Sequence, residues 1–171
     1  MIKLLGEEAQ ERMEDGEPFV IFTLKDHLFG IHAMQVREIM RTPEMTSLPQ
    51  TFSFMEGMIN LRGRILPVLD LRKRFQLPAQ KQASNRVIIV RLPKVLLGLM
   101  VDSVKEVVKI SPGKIQKTME TGVQGLNLQT LAGVATLGGN MVFFPDLISL
   151  LKTEEQDQLA AINRRKETTL S

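Results

Sequence analysis

Between Gly57 and Phe75 the chain reads GMINLRGRILPVLDLRKRF, two apolar runs broken by a single Arg-Gly step. Met58, Ile59 and Leu61 surround Asn60 before the break, and Ile65, Leu66, Val68 and Leu69 continue the signal across Pro67. Aliphatic runs joined by so short a polar step predict strand, tight turn, strand. Gly63 supplies the positive φ that such a turn asks for. Arg62, at the lip, carries a guanidinium with donors only, which stays at the surface unless a partner meets it. The segment therefore points to a rigid docking surface with an arginine on view, more than to a reaction centre.

The same reading extends along the chain. Phe19 to Leu24 and Leu28 to Ile31, joined by Lys25-Asp26-His27, form a hairpin pattern. Val36 to Met40 fits a third strand or one helical turn, and Thr51 to Phe54 a short helix before the Arg-Gly hairpin. Together these make a β-rich unit of about five strands over about residues 17–75. Gln76 to Asn85, polar and proline-containing, reads as a linker. Arg86 to Leu92, Val95 to Val101 and Val104 to Ile110 are three β-branched runs. A loop from Ser111 to Gln129 precedes Leu131 to Leu137, a Gly138-Gly139-Asn140 turn and Met141 to Phe144. That is a second set of about five strands, over about residues 86–145. Asp146 to Leu151 fits a short helix, and Glu154 to Lys166 a charged terminal helix in which Leu159 and Ile162 sit three apart. Residues 1–16 read as a flexible arm and 153–171 as a charged helix or tail. No repeat stands out in the residues themselves, so two similar small barrels are inferred from strand count and spacing.

A chain of 171 residues suits one domain or two small lobes sharing a core. The absence of Cys excludes disulfides, thiolate metal sites and Cys nucleophiles, and fits a reducing compartment, with cytoplasm the default. No apolar stretch approaches the roughly 18–20 residues of a membrane span, and the N-terminus turns acidic too soon for a secretory signal. The net charge of +3 is scattered, there is no Trp or Tyr, and the eight Phe sit mostly in apolar runs, so nucleic-acid stacking platforms are missing. For catalysis, His27 and His32 sit in the first hairpin with no matching nucleophile or metal-ligand spacing. Asp70 and Asp102 end strands, where an Asp accepts backbone hydrogen bonds at a turn. Gly122, Gly125, Gly133 and Gly138-Gly139 lack the lysine and helix start of a phosphate cradle. No cofactor is implied. Ten Met residues, among them Met34, Met40, Met45, Met55 and Met58, suit either core filling or an adaptable contact surface.

Gly57-Met58-Ile59-Asn60-Leu61-Arg62-Gly63, followed by Pro67, Asp70-Leu71-Arg72 and Phe75, resembles the Gly-x-x-Asn-Leu-Arg-Gly-x-x-x-Pro-x-x-Asp-Leu-Arg pattern of the CheW family of chemosensory coupling proteins. Phe22-x-Leu24, Val36-x-Glu38-Ile39, Gly98-x-x-Val101-Asp102-x-Val104 and Gly133-Val134-Ala135 match in order and spacing, so the resemblance covers about residues 17–152. It implies a mainly β fold: two five-stranded SH3-like barrels on a shared apolar core, with short helices and a C-terminal helix. It also implies a free-standing, non-catalytic adaptor in the cytoplasm at membrane-associated arrays. Its partners would be the cytoplasmic hairpin of chemoreceptors and the regulatory domain of the histidine kinase CheA, with neither nucleic acid nor membrane insertion. A coupling module of a non-flagellar system, or a generic SH3-like peptide binder, are the rival readings. By resemblance, Arg62, Val87 and Val107 face the receptor, and Val36, Glu38 and Gly57 lie at or near the kinase contact. An amphipathic helix calls for an apolar groove with a charged rim, which Val36, Val87 and Val107 with Arg62 would supply. The chain departs from the family pattern at Gln116-Lys117-Thr118-Met119, where relatives often carry a proline-containing loop, and at Pro145, where relatives usually continue with aliphatic residues.

Overall fold

The computed structural model describes residues 16–47, 52–117 and 131–164. Its strands are β1 (Glu17–Leu24), β2 (His27–His32), β3 (Val36–Arg41), β4 (Met55–Leu61), β5 (Arg64–Asp70), β6 (Arg86–Arg91), β7 (Leu96–Val101), β8 (Ser103–Ile110), β9 (Leu131–Leu137) and β10 (Asn140–Pro145). Among the described residues two α-helices accompany them, α1 (Leu71–Arg74) and α2 (Thr153–Asn163). The strands form two five-stranded sheets, ordered β8-β1-β2-β10-β9 and β3-β6-β7-β5-β4.

The sheets do not divide the chain into 17–75 and 86–145. β2 pairs parallel with β10, Phe29 beside Phe143, and β1 pairs antiparallel with β8, so the N-terminal hairpin completes a barrel begun by the C-terminal strands. The middle strands β3 to β7 make the other barrel by themselves. Local apolar runs set where strands are, whereas partner choice is a long-range matter that the runs leave open.

Burial on both faces explains why these strands read as nearly continuous apolar runs. Along β6, Val87 and Ile89 point into their own barrel with Ile59, Leu66, Val68, Leu96 and Met100, while Ile88 and Val90 point the other way. That opposite face joins Phe22, Leu24, Phe29, Ile65, Leu69, Phe75, Leu97 and Leu99 in a core shared by the two barrels. The N-terminal barrel has its own interior of Phe19, Ile21, Val108, Ile110, Val142 and Phe144. Helix α2 lays Leu159 and Ile162 on the shared core. Its Asn163 closes the open fork between the parallel strands β5 and β7. Nδ2 donates to the carbonyls of Ile65 (3.1 Å) and Leu96 (2.8 Å), and Oδ1 accepts the Leu96 N–H (2.7 Å).

Each barrel is closed by the segment following its edge strand. Thr46 and Met58 exchange hydrogen bonds of 2.9 and 2.8 Å across the ends of the β3–β4 barrel, and Gln116 and Val134 do the same at 2.9 and 2.8 Å in the other. The two sheets correspond strand for strand in the same pairing sense, β3-β6-β7-β5-β4 onto β8-β1-β2-β10-β9. Aligning them by register reveals the repeat that a linear reading misses. Gly57, Leu61, Gly63, Asp70 and Leu71 fall on Gly133, Leu137, Gly139, Asp146 and Leu147 at one constant spacing. Leu24, Gly30, Glu106 and Val104 fall on Leu92, Gly98, Glu38 and Val36 at another. Two spacings and a circular shift hide the duplication.

Local differences from expectation have local causes. Val36 to Met40 is strand, preceded by a 3-10 turn at Ala33–Gln35. Residues 146–151 form a turn instead of a helix, because the Asp146 carboxylate takes the N–H groups of Ile148 (3.2 Å) and Ser149 (3.3 Å) and the Ser149 hydroxyl (2.8 Å). Phe52 to Met55 is likewise a turn, closed by Met55 N–H on Phe52 O at 3.1 Å; Thr51 lies outside the described residues. The arm at 1–15, the loop at 118–130 and the tail beyond Arg164 also lie outside them. The linker over 76–85 is held, its Gln80 carbonyl accepting from Arg72 and Asn85 and its Leu77 packing on the shared core.

Candidate functional site

Arg62 and Gly63 both take positive φ, 53° and 82°, which is the primed two-residue turn that suits the twist of a hairpin. Asn60 Oδ1 accepts the Gly63 N–H at 2.9 Å and fixes the turn. Arg62 is thereby thrown outward with 75% of its side chain exposed, and its fork engages Glu38 on β3 through Nη1–Oε2 (2.9 Å) and Nη2–Oε1 (3.2 Å). This bidentate pair links edge strand β3 to the turn that follows edge strand β4. An exposed pair of this kind contributes about 0.2–1 kcal/mol to stability. Its main consequence is a planar, charged, oriented lip.

Arg62 and Glu38, which the resemblance assigns to different partners, are joined in one ion pair. Val87 is no surface residue: it is fully buried inside the β3–β4 barrel, against the mid-strand Gly98. Its β-branched run signals a strand, and only the partner strands decide that both faces are covered. Gly57 is buried as well; a Cβ there would lie 2.9 Å from the Thr46 carbonyl, so glycine is what lets the barrel close. Val36 is half-buried against the shared core, and Val104, its counterpart on β8, sits likewise. Val107 is 56% exposed on β8 and its counterpart Ile39 is exposed on β3. Of the early methionines, Met34 stands out on the 3-10 turn at 84% exposure, whereas Met40, Met45, Met55 and Met58 pack on apolar clusters.

Arg72 is the polar residue that the sequence reading missed. It is buried, and all its donors are used: Nε (3.0 Å) and Nη2 (3.0 Å) on Asp70, Nη1 on Asp102 (2.9 Å) and the Gln80 carbonyl (2.7 Å), and Nη2 on Met100 Sδ (3.2 Å). Burial works against its charge, but the hydrogen bonds and charges of Asp70 and Asp102 outweigh that and hold its pKa above the ordinary guanidinium value. Asp70 and Asp102 do accept backbone N–H groups, of Arg72 at 2.9 Å and of Lys25, as strand-ending Asp should. They also grip the arginine between them. The available signal was two acids at strand ends with an Arg two residues past the first.

The histidines are held structurally. His32 pairs with Glu17 at 2.9 Å and accepts the Met34 N–H at 3.1 Å, and His27 packs edge-on against Phe143. Among the described residues no cluster of His, Asp and Glu is placed to hold a metal ion. Two hollows of about 430 and 400 Å³ open beside the linker; Lys25, Asp26, Asp102 and Lys105 help to line the first, and Met45, Glu56, Arg72, Lys81, Asn85 and Met100 the second.

Two permuted barrels welded through one core, with a charged lip on one and exposed aliphatic residues on the edge strands of both, define a class: a rigid β scaffold that works through its surface. The comparisons agree. Residues 18–155 match the CheW-like domain. The chain is 34% identical to the chemotaxis protein CheW of Klebsiella aerogenes, over 90% of this chain and 89% of that protein, and 30% identical to the chemotaxis protein CheW of Rhizobium meliloti, over 87% and 96%. The crystal structure of the scaffolding protein TtCheW from Thermoanaerobacter tengcongensis superposes with a TM-score of 0.75 at 33% identity, covering 82% of this chain and 90% of that one. The chain belongs to the CheW family and is a chemotaxis coupling scaffold built on two SH3-like barrels. Among the described residues no helix is long and apolar enough to cross a membrane.

Proposed function

We propose that this chain joins the cytoplasmic hairpin of a chemoreceptor to the regulatory domain of the histidine kinase CheA, in receptor arrays at the membrane, and catalyses no reaction itself. The observation that carries the reading is the Arg62–Glu38 lip: an exposed, bidentate, oriented charge pair at the open end of a barrel, which folding does not require. An amphipathic helix docks through aliphatic anchors ringed by charge. Val107 on its exposed edge strand and the Arg62 fork supply that combination for the receptor. Val36 and Glu38, with the closed edge that Gly57 permits, supply the kinase-facing side. Because Glu38 holds Arg62, the two faces meet at one ion pair, and each partner's contact bears on the other's.

Co-sedimentation with receptor hairpin and kinase fragments, together with kinase activity, tests this. Arg62→Asp and Val107→Asp each lower hairpin binding by about tenfold or more with an unchanged melting temperature, since surface substitutions stay within about 0.5 kcal/mol of stability. Wild-type protein that leaves kinase activity unchanged in the presence of hairpin overturns the reading.

A further inference from the structure

Four cationic residues that lie far apart in the sequence come together in the fold. Arg64 opens β5, Arg91 ends β6, Lys94 lies in the β6–β7 turn and Arg164 follows α2. All four are exposed, and all line one hollow of about 200 Å³ in which none of the lining residues is acidic. The whole chain carries a formal surplus of only +3. Among the described residues, the guanidinium groups of Arg64, Arg91 and Arg164 have neither a hydrogen-bond nor an ion-pair partner. Lys94 has one, Asp157, at the outer limit of 4.0 Å and with both side chains more than half exposed. Elsewhere arginines are closely engaged, Arg62 with Glu38, Arg72 with Asp70 and Asp102, and Arg74 with the Leu150 carbonyl at 2.8 Å. Like charges gathered around a concave surface without a counter-charge concentrate a positive potential there. The end of α2 accounts for little of the cluster. A helix C-terminus attracts cations, but the Arg164 N–H already takes the carbonyls of Ala161 and Ile162, and Arg64 and Arg91 stand on strands.

We propose that this hollow docks an acidic segment of a partner protein, whose carboxylates are spaced so that they meet several of the four cations at once. The inference goes beyond the joining of receptor to kinase, and no assignment of a receptor or kinase face enters it. Three of the four cations are arginines, whose planar forks take a carboxylate through both oxygens, as Arg62 does with Glu38. A compact oxyanion calls instead for donors converging on it from below. Here the N–H groups of Leu92 and Leu96 are taken by the Val95 carbonyl (2.9 Å) and Asn163 Oδ1 (2.7 Å), and Pro93 has none to give. Attraction therefore comes from the exposed rim, and a ligand gains most by carrying several separated charges. A bilayer presents a plane, which a hollow does not match.

Fluorescence anisotropy with the full chain tests this, the probe being a short synthetic peptide rich in glutamate and the control the same peptide with every Glu replaced by Gln. The glutamate peptide binds about tenfold or more tighter than the control, and added salt weakens it because the contacts are open to screening. Arg64→Gln and Arg91→Gln together weaken binding by about tenfold or more. Neither lowers the melting temperature, since both side chains are exposed and each change relieves a like charge. Lys105→Gln and Lys109→Gln, exposed on β8 and outside the hollow, leave binding within about twofold of wild type. Equal affinity for the two peptides, or an equal loss in the β8 variants, overturns the inference, because the attraction is then general to a basic chain. Displacement by pyrophosphate at concentrations no higher than those of unlabelled peptide makes the hollow a small-anion site. Sedimentation with phosphatidylglycerol vesicles that the hollow variants lose, while keeping the peptide, makes it a membrane contact. Either result overturns the assignment to a protein segment. None of these variants replaces Arg62, Glu38 or Val107, so the coupling reading stands or falls by its own experiment.

Discussion

Replacing Arg72 by Met tests how the two barrels are held in one orientation. The guanidinium is 3% exposed and lies between Asp70, 1% exposed, and Asp102, 18% exposed. Met matches its length and removes every side-chain donor. Asp70 keeps only the backbone N–H of residue 72, Asp102 keeps the Lys25 N–H, and the Gln80 carbonyl keeps only the Asn85 amide. Removing one partner of a buried ion pair costs about 3–5 kcal/mol, because the remaining charge stays desolvated and uncompensated. For a chain of this size each kcal/mol moves the melting temperature by about 2–4 °C, so a fall of about 6–20 °C is expected. Urea unfolding followed by circular dichroism measures it, with the slope of the transition unchanged. Arg62→Met is the control; its partner is solvated and its cost stays below about 1 kcal/mol. Arg72→Lys falls between, since one ammonium cannot serve two carboxylates and a carbonyl in the same plane. A cost below about 1 kcal/mol for Arg72→Met would mean that water or a rearranged side chain replaces the arginine, and would refute the idea of a buried charged clamp.

Four further substitutions probe the framework. Gly98→Ala puts a methyl 2.7 Å from Val87 Cγ1 and 3.2 Å from Val68 Cγ2. It costs about 1–3 kcal/mol by overpacking, and less when Val87 is also shortened to Ala, a non-additivity that urea melts detect. Gly57→Ala and Gly133→Ala set a methyl against the closing carbonyls of Thr46 (2.9 Å) and Gln116 (2.8 Å). Each loosens its barrel, read as faster amide exchange at Met58 or Val134. Asn163→Ala strips the fork between β5 and β7 of three hydrogen bonds. It costs about 1–3 kcal/mol for the unsatisfied backbone groups, with α2 fraying first by amide exchange.

What the sequence discloses is what is local. Strand positions follow from apolar runs, and the Arg62-Gly63 turn from a glycine where positive φ is needed; both are properties of a few consecutive residues. What it conceals depends on residues far apart. Val87 looks like any β-branched strand residue until β3 and β7 are known to flank it and residues of β4, β5 and β7 to fill the barrel around it. The grouping of β1 and β2 with β8 to β10 leaves no trace in any one run, because a circular shift preserves every local pattern. Asp70 and Asp102 are recognisable as turn acceptors, while the arginine between them becomes visible only when β7 brings Asp102 beside α1. The tie between Arg62 and Glu38 is hidden for the same reason, since β3 and the β4–β5 turn meet only when the barrel closes.

The circular shift also bears on what a coupling scaffold must do. The chain passes between barrels through very short connections: the 3-10 turn at Ala33–Gln35 joins β2 to β3, and Asp102 alone separates β7 from β8. Asp102 is tied on one side to Arg72 and on the other to the Lys25 N–H, while its own N–H donates to the Thr23 carbonyl at 3.0 Å. A shared apolar core prevents the barrels from separating, but it is non-directional and would tolerate small rotations. Directional bonds to a rigid guanidinium at a one-residue crossover restrict those rotations. Two contact sites on such a body keep a fixed separation and angle, so the first partner bound presents the second without a further loss of orientational freedom. The buried clamp and the exposed lip thus serve one purpose from opposite sides, the first fixing where the barrels point and the second using that direction.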